Sequence, residues 1–171
     1  MAGALLKQAY VWVKLIHGGN SDPWVTSIAV DGNNNLFLCG WFDDGTVDFD
    51  PGTGTSNLTS AGGNDVFIAK YNSDGELTWV KSMGSTSYDN GYALALDNSG
   101  NIYIAGSFNG TVDFDPGSGT TNLISNGAPD IFFAKYNSDG HFVWAKGIGS
   151  EQSENPHSIT VDSNNNVYIS G

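Results

Sequence analysis

The feature that most constrains this chain is an internal repeat with a period of about 65 residues. The segment Asp48-Phe-Asp-Pro-Gly52 returns as Asp113-Phe-Asp-Pro-Gly117, an offset of 65 residues. A fixed long period indicates stacked copies of one supersecondary unit, because a single copy cannot bury its apolar faces alone. A residue that recurs in every copy is therefore expected to build the unit before it is expected to serve a unique site.

Each repeat has the pattern of four main strands joined by tight turns. In the second repeat the predicted strands span 91–97, 102–108, 130–136 and 142–146, and a short strand at 111–115 precedes a Pro-Gly break. The strand residues are apolar on both faces, as expected of a sheet that is packed on either side. The sequence thus predicts an all-β fold made of β-propeller blades, each with four antiparallel strands.

The phase of the repeat divides the chain into segments. We predict an N-terminal extension at 1–9 and a propeller segment at 10–171, which comprises an outer strand at 10–14, blades at 26–82 and 91–147, and a partial blade at 157–171. About 2.6 repeats do not close a ring, because propellers typically have 4–8 blades. Two hypotheses stay open: other blades of the same longer chain complete the ring, or identical chains complete it together.

Charge and hydropathy exclude two classes of partner. The formal net charge is −12, with 18 acidic residues against 6 lysines and no arginine, so the basic surface that nucleic-acid binding requires is missing. No stretch approaches the roughly 18 consecutive apolar residues of a membrane span, so we expect no membrane insertion. The N-terminal residues lack a basic region followed by an apolar core, and no signal peptide is visible in them.

The repeat resembles a known bacterial family. Trp144-Ala-Lys146, Ile159-Thr-Val-Asp162 and Asn166-Val-Tyr-Ile-Ser-Gly171 look like the β-propeller repeat often called SBBP. The insert Val-Asp-Phe-Asp-Pro-Gly, at 47–52 and 112–117, resembles a subgroup found in large secreted or surface-anchored bacterial proteins. That family has no shared catalytic motif. The resemblance implies an exported structural, adhesive or ligand-binding module, located outside the cell or on its surface.

The insert carries paired carboxylates that invite three interpretations. Asp48 and Asp50 in the first repeat, and Asp113 and Asp115 in the second, have the i and i+2 spacing that places two side chains on one face of a strand. Such carboxylates could cap the amides of the following turn, ligate calcium together with loop carbonyls, or form a glycosidase pair. Recurrence in both repeats argues against a unique active site. Calcium is the one cofactor that the sequence suggests, and none is required.

Tryptophans divide into recurring and non-recurring ones. Trp12, Trp79 and Trp144 recur two residues before a lysine, so we expect them in the blade core. Trp24 and Trp41 do not recur, which makes them the better candidates for a ligand contact such as stacking on a sugar ring. Local packing is the alternative role for this pair.

No constellation in the sequence indicates an enzyme. The three histidines fall at different phases of the repeat, and no nucleophile elbow or phosphate-binding glycine loop is present. We therefore expect a non-catalytic structural, adhesive or ligand-binding propeller module that contacts a glycan or a surface protein. The alternatives are a lectin-like propeller, and a hydrolase or lyase whose catalytic residues lie in other blades.

Overall fold

The computed structural model describes residues 14–18, 23–43 and 45–171, and every regular element in them is a β-strand. The strands are β1 (His17–Gly18), β2 (Trp24–Val30), β3 (Leu36–Phe42), β4 (Thr46–Asp48), β5 (Asn57–Thr59), β6 (Asp65–Tyr71), β7 (Leu77–Met83), β8 (Asn90–Leu96), β9 (Ile102–Phe108), β10 (Thr111–Asp113), β11 (Asn122–Ile124), β12 (Asp130–Tyr136), β13 (Phe142–Ile148), β14 (Ser158–Val161) and β15 (Val167–Ser170). The predicted extension at 1–9, residues 10–13 of the predicted outer strand, and Trp12 lie outside the described residues. No helix in the described part of the chain is long and apolar enough to cross a membrane.

The main strands form two complete blades and part of a third. Blade 1 has the strand order β2-β3-β6-β7, and blade 2 has the corresponding order β8-β9-β12-β13, with every neighbouring pair antiparallel. The hairpin of β14 and β15 is the start of blade 3. These sheets do not close a ring among the described residues. The predicted fold class, an all-β incomplete propeller with four-stranded blades, is confirmed.

The turn between the first two strands of each blade is held by one aspartate. Asp31 Oδ1 accepts hydrogen bonds from the amides of Asn33 (2.8 Å) and Asn35 (2.9 Å), and Asp97 and Asp162 make the corresponding bonds in blades 2 and 3. One residue of each turn has a positive φ, and asparagine or glycine fills that position, because glycine lacks a Cβ and asparagine tolerates the left-handed region better than most residues. These aspartates therefore cap the first turn of each blade.

A two-stranded insert covers the outer part of one face of each blade. The insert of blade 1 pairs β4 with β5, and the insert of blade 2 pairs β10 with β11 in the same register. In blade 1 the short strand β1 pairs with β4 and adds a third strand to that sheet. The rings of Phe49 and Phe114 are fully buried beneath these inserts. The hydroxyl of Tyr71 donates to the carbonyl of Phe49 (2.9 Å), and Tyr136 repeats this bond to Phe114 (2.9 Å). The inserts are thus anchored parts of the blades rather than free loops.

The core consists of three apolar clusters that follow the stacking of the blades. The largest lies between blades 1 and 2 and joins Phe37, Cys39 and Ile68 to side chains of blade 2. A second lies on the opposite face of blade 1, under its own insert. The third joins blade 2 to the strands of blade 3, where Ile159 is buried. Burial on both faces explains why the strand residues are apolar without strict alternation.

Candidate functional site

The two non-recurring tryptophans lie side by side on one face of blade 1. Trp24 begins β2 and Trp41 lies near the end of β3, where the two residues oppose each other in the ladder. Their rings are 5.7 Å apart between centroids and only 7° from parallel, which is a stacked arrangement. The side chain of Trp24 is 62% exposed, and that of Trp41 is half-buried. The pair therefore presents an apolar aromatic surface to solvent.

A β-bulge in β2 places Trp24 opposite Trp41. The register of β2 against β3 shifts between Val25 and Ser27, so Thr26 is the extra residue. Without the bulge Trp24 would oppose Phe42 and would point to the other face of the sheet. The hydroxyl of Thr26 donates to the carbonyl of Gly91 in blade 2 (2.8 Å), which fixes the bulge against the neighbouring blade.

Blade 2 carries small polar residues where blade 1 carries the tryptophans. Asn90 and Ser107 oppose each other in the ladder of β8 and β9, at the positions of Trp24 and Trp41. A bulge stands at the corresponding place in β8, with its register shift between Gly91 and Ala93. The backbone that would position an aromatic pair is therefore present in both blades, and only blade 1 uses it.

The paired aspartates of the inserts cap the loops that follow them. Asp48 Oδ1 accepts the amides of Asp50 (3.0 Å) and Ser56 (2.8 Å), and Asp50 Oδ1 accepts the amide of Gly52 (2.8 Å). Asp50 Oδ2 lies against Gly54, where any side chain would collide with it. These bonds satisfy loop amides that the Pro-Gly sequence leaves outside the ladder.

The second insert repeats this geometry. Asp113 Oδ1 accepts the amides of Asp115 (3.0 Å) and Thr121 (2.8 Å), and Asp115 Oδ1 accepts the amide of Gly117 (2.8 Å). Among the described residues, no three histidine, cysteine, aspartate or glutamate side chains come together as a metal site would require. The geometry supports the turn-capping interpretation for both inserts, and calcium binding stays a prediction.

Two buried carboxylates lie at the junction of blades 1 and 2, and sequence reasoning missed them as a pair. Asp65 is 3% exposed, and its Oδ2 accepts the amide of Ala61 (2.7 Å) while Oδ1 lies against Gly84 with no hydrogen-bond partner among the described residues. Asp89 is fully buried and accepts the amides of Ser85 (2.7 Å) and Asn109 (2.9 Å). Each residue alone resembles an ordinary turn aspartate, so only the packing of two blades reveals the pair.

Burial decides the protonation of this pair. Burial raises the pKa of Asp65 to about 6, with the amide of Ala61 opposing the shift and the charge of Asp89 adding to it. Burial also raises the pKa of Asp89, although the hydrogen bonds from Asn109 and Ser85 oppose the shift. Carboxylates stand at the corresponding positions of the next junction, where Asp130 is buried and Glu154 is half-buried, so they are part of the way blades join.

Known proteins agree with this architecture. The family described as the SBBP β-propeller repeat matches residues 78–112 and 143–171. Each match to the SBBP repeat begins in the outermost strand of one blade, β7 or β13, and continues through the first two strands of the next. Each match therefore crosses a blade junction and contains one of its carboxylates, Asp89 or Glu154.

Two curated proteins are similar to this chain over 95% and 64% of its length. An uncharacterised WD repeat-containing protein of Acanthamoeba polyphaga mimivirus is 28% identical over 185 residues, covering 95% of this chain and 13% of that protein. The regulatory protein FlaEY of Caulobacter vibrioides is 28% identical over 110 residues, covering 64% of this chain and 12% of that protein. The chain thus spans about one eighth of the length of these relatives.

Proposed function

We propose that this propeller segment is a non-catalytic binding module and that Trp24 and Trp41 form its ligand platform. The observation that carries the proposal is the stacked, partly exposed indole pair, which blade 2 replaces with Asn90 and Ser107. An aromatic face exposed on a rigid sheet offers apolar contact area with little loss of side-chain entropy on binding. The apolar face of a sugar ring fits such a platform, so the proposed ligand is a glycan.

The chemistry of the described residues supports a binding role over a catalytic one. His141 and His157 are exposed and lie before different strands, β13 and β14, in different blades. The carboxylates with the clearest upward pKa shifts, Asp65 and Asp89, are buried at a blade junction and bonded to backbone amides. Neither these histidines nor these carboxylates provide a nucleophile with a base at hydrogen-bond distance, which acyl or glycosyl transfer would need.

The proposal extends to partners and location. On the face of blade 1 that points away from blade 2, Ile28 and Val30 are 63% and 58% exposed, whereas the corresponding Leu94 of blade 2 is 8% exposed beneath blade 1. We propose that a further blade of the same repeat covers Ile28 and Val30, supplied by a longer chain or by an identical chain. The mass of the purified chain in solution separates these two sources. An extracellular or cell-surface location is proposed from the family resemblance.

The experiment that tests the platform exchanges residues between blades. A double variant, Trp24→Asn with Trp41→Ser, gives blade 1 the residues that blade 2 already carries at the same positions. We expect binding on a glycan array to weaken by at least about tenfold, because truncated aromatic contacts at binding centres commonly cost more than 1 kcal/mol. The matched control is Tyr168→Ala, which removes an exposed aromatic from β15 of blade 3.

Two results would count against the platform. Glycan binding that survives the double variant at full strength would place the ligand elsewhere on the molecule. Equal weakening by Tyr168→Ala would show that the loss does not come from the tryptophan pair. A thermal melt of both variants verifies that the blades still fold.

A further inference from the structure

A second candidate site lies at the other end of the junction between blades 1 and 2. A cleft of about 560 Å³ opens between the first turn of blade 1 and the first turn of blade 2. We call it the junction cleft, and its polar lining includes Asp31, Asn33, Lys70, Asp97, Ser99 and Ser138. Its volume lies within the range of about 300–1,000 Å³ that small-molecule sites occupy. Trp24 and Asp31 lie at opposite ends of the seven-residue strand β2, so about 20 Å separates the cleft from the tryptophan pair.

Lys70 in this cleft differs from its counterpart in blade 2. Lys135 Nζ donates to the hydroxyl of Tyr103 (2.6 Å) and forms an ion pair with Asp97 Oδ2 (3.3 Å). In blade 1 the residue opposite the lysine is Phe37 instead of a tyrosine. The lysine of blade 2 is therefore held in a closed network of side chains that blade 1 cannot form.

Lys70 keeps hydrogen-bonding capacity as a result. Its ammonium lies 5.2 Å from the centre of the Phe37 ring and donates to the carbonyl of Ser138 (3.1 Å) in blade 2. An ammonium has three donors, and this carbonyl takes one of them. Among the described residues Lys70 has no ion pair, so its remaining donors face the cleft.

The carboxylates of Asp31 and Asp97 at the cleft also differ in how many hydrogen-bond donors surround them. Asp97 Oδ2 is surrounded by donors from Asn101 (2.8 Å), Tyr103 (3.2 Å) and Lys135 (3.3 Å). Asp31 Oδ2 accepts one hydrogen bond, from the side-chain Nδ2 of Asn35 (2.8 Å). Desolvation raises the pKa of Asp31, but hydrogen bonds from Asn35 and Asn33, together with the charge of Lys70, outweigh it and lower the pKa, so the group is ionised near neutral pH.

These contacts define the ligand by charge and by hydrogen bonding. The ammonium of Lys70 can donate further hydrogen bonds, and the carboxylate of Asp31 can accept further ones. Their two charges cancel, and the charge of Asp97 is already compensated by its ion pair with Lys135. A neutral molecule with neighbouring hydroxyl groups satisfies a donor and an acceptor together, because each hydroxyl both donates and accepts. We propose that the junction cleft binds a neutral sugar, with Lys70 and Asp31 recognising its hydroxyl groups. This site is separate from the tryptophan pair.

The test places a residue of blade 2 at the corresponding position of blade 1. Phe37→Tyr gives blade 1 the tyrosine that Tyr103 supplies in blade 2, and its hydroxyl should occupy Lys70 and Asp31 as Tyr103 occupies Lys135 and Asp97. Saturation transfer from the protein to glucose, galactose and mannose at millimolar concentration measures binding. We expect a signal for at least one hexose in the wild type and a loss of at least about tenfold in affinity in Phe37→Tyr and in Lys70→Met, because each removes a charged hydrogen-bond donor from the ligand.

Two controls make each outcome decisive. Lys146→Met removes an exposed lysine from β13 and should leave hexose binding unchanged. The hexose signal is also measured in the Trp24→Asn, Trp41→Ser background, which removes any contribution of the tryptophan platform, so failure of that platform and failure of this cleft are distinguishable. The proposal is overturned if none of the three hexoses shows transfer in the wild type. It is equally overturned if transfer persists in Lys70→Met and in Phe37→Tyr, or if only an anionic sugar such as glucuronate binds.

Discussion

Blades 1 and 2 have the same arrangement of main strands, and comparing their side chains separates scaffold from site. Each blade has four seven-residue strands, and β-bulges interrupt corresponding positions in the first strand and in the fourth. The recurring phenylalanines, Phe49 in blade 1 and Phe114 in blade 2, anchor the inserts of both blades. The non-recurring residues Trp24, Trp41 and Phe37 belong to the two candidate sites of blade 1 and have no counterpart of the same type in blade 2.

The surroundings of the two blades also differ. Blade 2 is packed on both faces, by blade 1 and by the strands of blade 3. Blade 1 is packed by blade 2 on one face, and its insert closes only the outer part of the other. Inner-strand residues on that face, Ile28 among them, consequently stay exposed while their counterparts in blade 2 are buried. The same strand sequence pattern therefore gives a core in one blade and a surface in the other.

The largest effect that we expect comes from the recurring phenylalanines. Phe49→Ala and Phe114→Ala should each lower the free energy of unfolding by about 3–5 kcal/mol, because each deletes a fully buried ring and leaves a cavity. Trp24→Asn should change it by no more than about 0.5 kcal/mol, because that side chain is mostly exposed. Urea unfolding of the three variants measures all of these values. A costly Trp24→Asn, or a phenylalanine that tolerates truncation, would break the division between recurring scaffold and non-recurring site.

A smaller effect is expected from the buried carboxylates at the junction of blades 1 and 2. The pKa of Asp65 is raised to about 6 in the folded chain, above its ordinary value of 3.8, so the folded state binds a proton more tightly than the unfolded state. The ionised form therefore opposes folding above about pH 6, and stability should increase by about 1 kcal/mol between about pH 7 and about pH 5 from this group alone.

Asp65→Asn isolates this contribution. The asparagine keeps an acceptor for the amide of Ala61 but cannot titrate, so the rise in stability on acidification should shrink. It should not vanish, because burial raises the pKa of Asp89 as well. Urea midpoints at several pH values measure both proteins. An unchanged pH dependence in Asp65→Asn would show that this junction carboxylate does not titrate in the predicted range.

Much of the blade could be predicted because Asn, Asp and Gly residues mark the turns between the strands in the sequence. The strands predicted at 102–108 and 130–136 coincide with β9 and β12, and the one predicted at 91–97 lies one residue from β8 (Asn90–Leu96). The anchoring role of Phe49 was missed, although it was available. Phe49 alternates with Asp48 and Asp50, so its side chain had to point away from theirs toward the blade.

Other features could not be read from the sequence. The stacking of Trp24 on Trp41 depends on the bulge at Thr26, and a bulge is defined by hydrogen bonds between strands. A one-residue shift in register changes the face on which every preceding side chain lies. The junction cleft and the pairing of Asp65 with Asp89 depend on the packing of two blades, which no pattern within a single repeat contains.

The smallest effect that we expect is the response to calcium, which tests whether the inserts are scaffold in both blades. The carboxylates of Asp48, Asp50, Asp113 and Asp115 already accept loop amides, so we expect the melting temperature to be the same with millimolar calcium and with a chelator. A ligand present at a hundred times its dissociation constant would stabilise the folded state by about 2.7 kcal/mol, so a real site would give a clear upward shift. A shift in the wild type that disappears in Asp50→Asn but persists in Asp115→Asn would place a calcium site in the insert of blade 1 and would make the two inserts functionally different.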